Sequence, residues 1–195
     1  MIINTNRLEP DYPTPAGLIW GQGPQFNNRL IQEINAEPAL VQFVIYRLTV
    51  DNITQALLNK WQSGVPVQLL IEPSEYMNRK WPEFWLTHAN LDKLWAAGIP
   101  IKQRAHNGLT HMKTLVTSTY ATVASSNYAS GWQRDDNYFI PSASKPAIYQ
   151  ALKNRVTAMW NSPTAFTPFQ PQPPDAPTLS SPCERGHKCS HERRR

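Results

Sequence analysis

Apolar positions along this chain switch between two spacings, one helical and one extended, and the switches mark out an order of elements. "LIWGQG" reads as a short strand. "PQFNNRLIQEINAE" follows with Leu30, Ile31 and Ile34 on one helical face, and Asn27 or Asn28 as its cap. "LVQFVIYRLT" has the length and the β-branched, aromatic content of a strand. "VDNITQALLNKWQSG" then opens on Asp51 as N-cap and closes on Gly64, with Ile53, Leu57 and Trp61 on one side.

The alternation continues. "VPVQLLIE" is almost uninterruptedly apolar, as expected of a strand covered on both faces. A long loop, "PSEYMNRKWPEFWLT", leads to the helix "HANLDKLWAAG", with His88 at its start, and "IPIKQR" is the next strand. "HNG" at 106–108 reads as a turn, two strands fill 111–117 and 120–125, and "GWQRDDNYFI" runs from a loop into an apolar strand. A last helix, "KPAIYQALKNRVTAMW", offers Ile148, Leu152, Val156 and Trp160 to a core. Strands alternating with helices, then a hairpin, then a helix predict an α/β sandwich: a mixed β-sheet flanked by helices. The expected boundaries are an irregular lead-in at 1–15, a domain at 16–162, and a Pro-rich linker with a basic disordered tail at 163–195.

Composition changes this picture little. The 195 residues suffice for one domain with a sizeable core plus tails, and no apolar run is long enough for a transmembrane segment. The net charge of +5 suggests a polyanionic partner until it is located. Arg185, Lys188, Arg193, Arg194 and Arg195 against Glu184 and Glu192 leave +3 in the last thirteen residues, so the rest carries only +2. Cys183 and Cys189 lie there too, so no disulfide supports the fold. "CERGHKCSH" matches no structural zinc spacing and reads as a solvated end. "MIINTNRLEPDYPTP" lacks the basic and apolar regions of a secretory signal, which predicts a cytoplasmic chain, or a secreted one if the true N-terminus is missing.

Candidate chemistry gathers in "THMKTLVTSTYATVASSN", residues 110–127. On a strand, His111 and Lys113 would share a face about 7 Å apart. The lysine offers a point charge to a phosphate oxygen, and the histidine a nucleophile or general acid. The returning strand ends in Ser125, Ser126 and Asn127, which add neutral hydrogen-bonding groups. By itself H-x-K is common, and a half-exposed strand with a polar face would account for it.

The wider segment resembles the phospholipase D superfamily, whose signature is H-x-K, four residues, an Asp, then about six residues on a Gly-Ser and an Asn. Here it reads His111, Lys113, Ser118 in place of the Asp, Ala124 in place of the Gly, then Ser125 and Asn127. "VQFVIYRLTVDNITQALLNKWQSGVPVQLLIE" looks like the family's strand–helix–strand. The resemblance implies a phospholipase D-like fold with phosphodiester chemistry, on a phospholipid or a nucleic acid, through a phosphohistidine and with no metal or other cofactor. His111 would be nucleophile or acid, Lys113 and Asn127 would bind the phosphate, and Ser125 would support them.

Family sites combine two such motifs, and this chain holds one. The resemblance therefore implies a homodimer, as in small bacterial nucleases of the family, or a second repeat in a missing portion of a longer protein. Ser118 replaces a supporting carboxylate; tyrosyl-DNA phosphodiesterases in the superfamily also lack it. Family members often orient the catalytic histidine with an acid or amide past the motif, for which Asp135, Asp136 and Asn137 are candidates. A catalytically inactive binding or dimerisation module that keeps the fold, or a fragment of a two-repeat enzyme, is the alternative. The loop "YMNRKWPEFW" interleaves Arg79 and Lys80 with Trp81, Phe84 and Trp85, a mixture suited to stacking bases, sitting at a lipid interface, or anchoring the loop to its own domain.

Overall fold

The computed structural model describes residues 19–21, 23–77, 83–129 and 136–173. The lead-in at 1–15 and the Cys- and Arg-containing tail from 174 lie outside these described residues. Among them, eight strands form one sheet. In chain order the elements are β1 (Ile19–Gly21), α1 (Gly23–Ala36), β2 (Val41–Ile45), α2 (Asp51–Gln62), β3 (Val67–Ile71), α3 (Pro73–Met77) and α4 (Glu83–Ala96). There follow β4 (Ile101–Arg104), β5 (Thr114–Val116), β6 (Tyr120–Ala124), β7 (Asn137–Pro141), α5 (Pro146–Asn161) and β8 (Phe166–Pro168). The strand order is β1-β7-β6-β5-β2-β3-β4-β8. β2, β3 and β4 are parallel neighbours, and every other pairing is antiparallel. This is the mixed sheet flanked by helices that the alternation of periods predicts.

Helices cover both faces, which is why β2 is buried at all five positions. Its side chains alternate in direction. Val41, Phe43 and Ile45 join Leu30 and Ile34 of α1, Ile53 and Leu57 of α2, and Leu91 and Leu94 of α4 in one apolar cluster. Val44 points the other way, to Leu70, Val116, Ile140, and Tyr149 and Val156 of α5. Gln42 shares that second face, where it donates to Gln68 Oε1 (3.0 Å) and accepts from Thr157 of α5 (3.3 Å). At the ends of α2 and α4, Gly64 (φ 86°) and Gly98 (φ 84°) take the left-handed conformation that stops a helix.

Helix starts and the last helical face differ from the expectation. α1 begins at Gly23, so Asn27 caps nothing; from inside the helix its Nδ2 donates to Ala129 O (3.2 Å). α2 is entered through Val50, leaving Asp51 as a first-turn acid. α4 begins at Glu83, which puts His88 in mid-helix, buried and stacked on Tyr76 with ring centroids 4.3 Å apart. In α5, Leu152, Val156 and Trp160 face the second cluster as expected, and the departure is at the first residue of the stripe. Ile148 is exposed, and Tyr149 takes its place in the core, donating its hydroxyl to Thr117 O (2.7 Å).

Two strand boundaries move as well. β5 holds only Thr114–Val116, because its neighbour β2 ends at Ile45, just beyond the Val44–Thr114 pair. His111 and Lys113 therefore precede the strand. Past residue 162 the Pro-rich stretch does not leave the domain at once: β8 pairs antiparallel with β4, and Phe166 and Phe169 are buried. Prolines disguise this strand, yet an edge strand tolerates them because its outer N–H groups need no partner. No described helix is long and apolar enough to cross a membrane.

The structure thus makes Phe169 a core residue and Ile148 a surface one. Phe169→Ala is expected to lower the unfolding free energy by about 3–5 kcal/mol in urea titrations, and Ile148→Ser to change it by less than about 0.5 kcal/mol. Equal effects would place the domain end before β8.

Candidate active site

Strand direction gathers polar groups along one edge of the sheet. β2, β3 and β4 all end there and β6 ends beside them, while β5 and β7 begin there. Such carboxyl ends are where open α/β sheets place their ligand sites. The edge carries Tyr46 and Arg47 after β2, Glu72 and Glu75 after β3, and Arg104 closing β4. His111 and Lys113 lie before β5, and Ser125–Asn127 after β6.

His111 and Lys113 do face each other, although not across a strand. Lys113 is buried, and its Nζ donates to His111 O (2.8 Å) while lying 3.2 Å from His111 Nδ1. An ammonium only donates, so the second contact makes Nδ1 the acceptor and leaves the ring proton on Nε2. The ammonium also sits 4.7 Å from the centre of the Tyr46 ring. The His111 ring meets the same tyrosine edge-on, with centroids 4.3 Å apart and planes at 68°. His111 is otherwise exposed. Partial burial and then the Lys113 charge hold its pKa below the ordinary imidazole value, against an opposite pull from Glu75 and Glu72.

Glu72 organises the edge from within. It is buried, and its carboxylate accepts from Arg104 Nε (2.7 Å) and Nη2 (2.9 Å), from Thr110 N (2.9 Å), and from Ser74 N (3.1 Å) and Oγ (2.7 Å). Burial alone would raise its pKa, but Arg104 and these donors lower it. The bond from Thr110 N fixes the residue just before His111. The intervening turn, read from "HNG", runs through Gly108 at φ 145°, where an added side chain would also meet the His106 ring at 3.3 Å. Glu75, on α3, accepts from Arg47 Nε (2.6 Å) and from the Tyr46 hydroxyl.

The far side of the edge is built by the turn after β6. Ser126 is buried and donates from both N (3.2 Å) and Oγ (2.7 Å) to Asn137 Oδ1. Ser125, exposed, donates its N to Asp136 O (3.1 Å). Asn127 sits next, half-buried, with Oδ1 inaccessible to water and unpaired. Tyr128 locks the turn to β2's extension: its N donates to Arg47 O (3.2 Å) and its carbonyl accepts from Thr49 N (2.8 Å). Its ring packs on Phe43 at 4.5 Å.

Other sequence candidates fall elsewhere. Ser118 lies at the opposite end of the sheet, in the β5–β6 turn, where its N and Oγ donate to Glu37 Oε2 at 2.5 and 2.6 Å. Of the proposed partners for His111, Asp135 lies outside the described residues, Asp136 is exposed, and Asn137 is bonded to Ser126. The carboxylates acting on His111 are Glu75 and Glu72. Arg79, Lys80 and Trp81 lie outside the described residues, and Trp85 is exposed near the start of α4. Among the described residues no three His, Cys, Asp or Glu side chains converge as metal ligands. Sequence reasoning missed Tyr46, Arg47, Glu72, Glu75 and Arg104. Their signal was positional: each is polar and lies at or just past the end of a buried parallel strand.

An eight-stranded mixed sheet with helices on both faces and a His-x-Lys pair at the carboxyl ends of its parallel strands defines a phospholipase D-like domain. The family model described as cardiolipin synthase, PLD-like domain, matches residues 30–160, and the chain belongs to that family, within the phospholipase D superfamily. No curated protein matches it. Among solved structures, Nuc from Salmonella typhimurium, a phospholipase D family member, superposes with a TM-score of 0.63 at 16% identity, covering 78% of this chain and 97% of that one. NucT from Helicobacter pylori gives 0.57 at 18%, covering 78% and 98%. Phosphatidylserine synthase from Haemophilus influenzae gives 0.58 at 9%, covering 82% and 41%. At these identities the likeness is one of fold.

Two outcomes test the electrostatics. Glu72→Gln is expected to cost about 3–5 kcal/mol of stability at neutral pH, since it leaves the largely covered Arg104 without its charge partner. Because folding depresses the Glu72 pKa, that cost is present above the unfolded carboxylate value, about 4.3, and fades as acid denaturation proceeds below it. Lys113→Met should raise the His111 pKa in an NMR titration and Glu75→Gln should lower it; shifts of the reverse sign would mean other charges control the ring.

Proposed function

We propose that this domain hydrolyses phosphodiesters, of a phospholipid or a nucleic acid, with His111 as its reactive group and without a metal. The observation that carries the reading is the His111–Lys113 pair itself: an exposed imidazole held neutral at pH 7, with an ammonium 3.2 Å from its ring, on the sheet's ligand-binding edge. A neutral imidazole has a lone pair to give to phosphorus, and the ammonium supplies positive charge where the phosphoryl oxygens gain negative charge. Lys113 is engaged with His111 at rest. An arriving phosphate offers it a charge-assisted hydrogen bond instead, which releases the Nδ1 contact and frees the ring to move its proton. Asn127, on the same edge, adds a neutral amide for a further oxygen.

The reaction we infer has two steps. A His111 nitrogen forms a bond to phosphorus as the bond to the leaving oxygen breaks, and a second histidine gives that oxygen a proton. Water then attacks phosphorus, the N–P bond breaks, and the second histidine takes up the water's proton, leaving a phosphomonoester. One chain contributes one His-x-Lys pair, so a homodimer that brings two His111 rings to one phosphate completes the site. A partner repeat in a longer protein would serve equally. Ser118, bonded to Glu37 at the other end of the sheet, has no part in these steps, which weakens its substitution as a reason to call the domain inactive.

Hydrolysis of bis-p-nitrophenyl phosphate in excess chelator tests the proposal. His111→Ala should lower the rate by about 10²–10⁴-fold, Lys113→Ala by about 10²–10³-fold, and Ser118→Ala should keep the wild-type rate. Activity that survives His111→Ala, or that chelator abolishes, overturns the mechanism. An inactive wild type of verified fold leaves the domain as a binding module.

A further inference from the structure

The phosphate chemistry proposed above accounts for His111, Lys113 and Asn127 but gives no role to the aromatic ring that touches two of them. Tyr46 follows β2 directly and is half-buried. One ring contacts both members of the pair: the His111 imidazole meets it at 4.3 Å between centroids, and the Lys113 ammonium lies 4.7 Å from its centre. Its hydroxyl is hydrogen-bonded to Glu75, which Arg47 holds by a 2.6 Å ion pair. The tyrosine is thus fixed at both ends, by the strand behind it and by the helix α3 beyond its hydroxyl.

We propose that Tyr46 is a positioning residue for the reactive pair, its ring setting the plane of His111 and the height of Lys113, and Glu75 setting the ring. The inference rests on His111 being the reactive group. Without Tyr46, nothing else described packs a ring against His111, whose remaining surface is exposed. A solvent-facing imidazole free to rotate about χ1 and χ2 would spend little time aligned for in-line attack. Burial, with the Glu75 hydrogen bond next, raises the Tyr46 hydroxyl pKa, so the hydroxyl stays protonated and remains a donor at working pH.

Glu75 has a second effect through the same link. The charged groups that face His111 are Lys113 from its own segment, Arg47 from the end of β2, and Glu75 and Glu72 from beyond β3. Both cations oppose a positive imidazole, while a histidine bonded to phosphorus, or one about to donate a proton, is positive. Keeping Glu75 near the ring offsets that opposition during the reaction, and the Tyr46 hydroxyl helps hold it there.

Three variants read the brace: Tyr46→Leu removes ring and hydroxyl, Tyr46→Phe removes the hydroxyl alone, and Glu75→Gln removes the charge. An aromatic edge contact at 4.3 Å shifts the His111 ring-proton resonances by ring current. That shift should persist in Tyr46→Phe and vanish in Tyr46→Leu. With bis-p-nitrophenyl phosphate, Tyr46→Leu is expected to lower kcat by about 10²-fold with KM little changed, and Tyr46→Phe should restore most of it. Glu75→Gln should move the acid limb of the pH–rate profile to lower pH. Wild-type kcat and His111 shifts in a folded Tyr46→Leu overturn the proposal, and so does a Tyr46→Phe as impaired as Tyr46→Leu. The NMR arm needs no turnover, so it judges the brace even where hydrolysis fails. If His111→Ala abolishes activity and Tyr46→Leu does not, the brace alone is wrong.

Discussion

A carboxylate taken out of water at the end of a central strand needs a full set of donors, and Glu72 has one. Arg104 reaches it from β4, Ser74 from the start of α3, and Thr110 from the chain entering the His-x-Lys segment. Two donors more than thirty residues on, Arg104 and Thr110, are therefore tied to one group, with Ser74 as a local third. The arrangement is over-determined, in that releasing any one donor leaves the charge undersatisfied and strains the others. His111 sits one residue past Thr110, so its backbone inherits this rigidity although its side chain faces solvent. The parallel core of β2, β3 and β4 supplies the alignment that lets these groups meet.

Around that anchor the edge is layered by charge. Arg104 neutralises Glu72, and Arg47 neutralises Glu75, leaving Lys113 as the cation turned toward His111. Tyr46 separates the layers, its ring against His111 and Lys113 and its hydroxyl on the Glu75 side. The charges facing His111 are therefore mixed, Lys113 and Arg47 against Glu75 and Glu72.

Much of this was legible along the chain, for a physical reason. β2 and β3 stand out because strands covered on both faces must be largely apolar, and the His-x-Lys pair because its residue types are chemically unusual side by side. Helix starts were less readable. α1 and α4 begin at Gly23 and Glu83 with no side-chain cap in the sequence to announce them, and Asn27 and His88, which resemble starts, lie inside. β8 was hidden because its prolines belong equally to linkers and edge strands, and only pairing with β4 distinguishes the two. Glu72, Glu75 and Tyr46 carried no motif at all. Their importance comes from what they meet across the fold, from Arg104 and Thr110 to Arg47 and His111, and separation along the chain conceals it.

The Ser118–Glu37 pair bears on how relatives of this chain can vary. Where the family pattern expects an acid, the turn here has a hydroxyl, and the acid comes from the end of α1 to accept its hydrogen bonds. Glu37 is buried while Ser118 is exposed, and an aspartate at 118 would set a second carboxylate against the first, an arrangement that disfavours both charged forms. The two positions, eighty-one apart in sequence, are thereby coupled: what residue 118 can carry at low cost depends on the charge at residue 37.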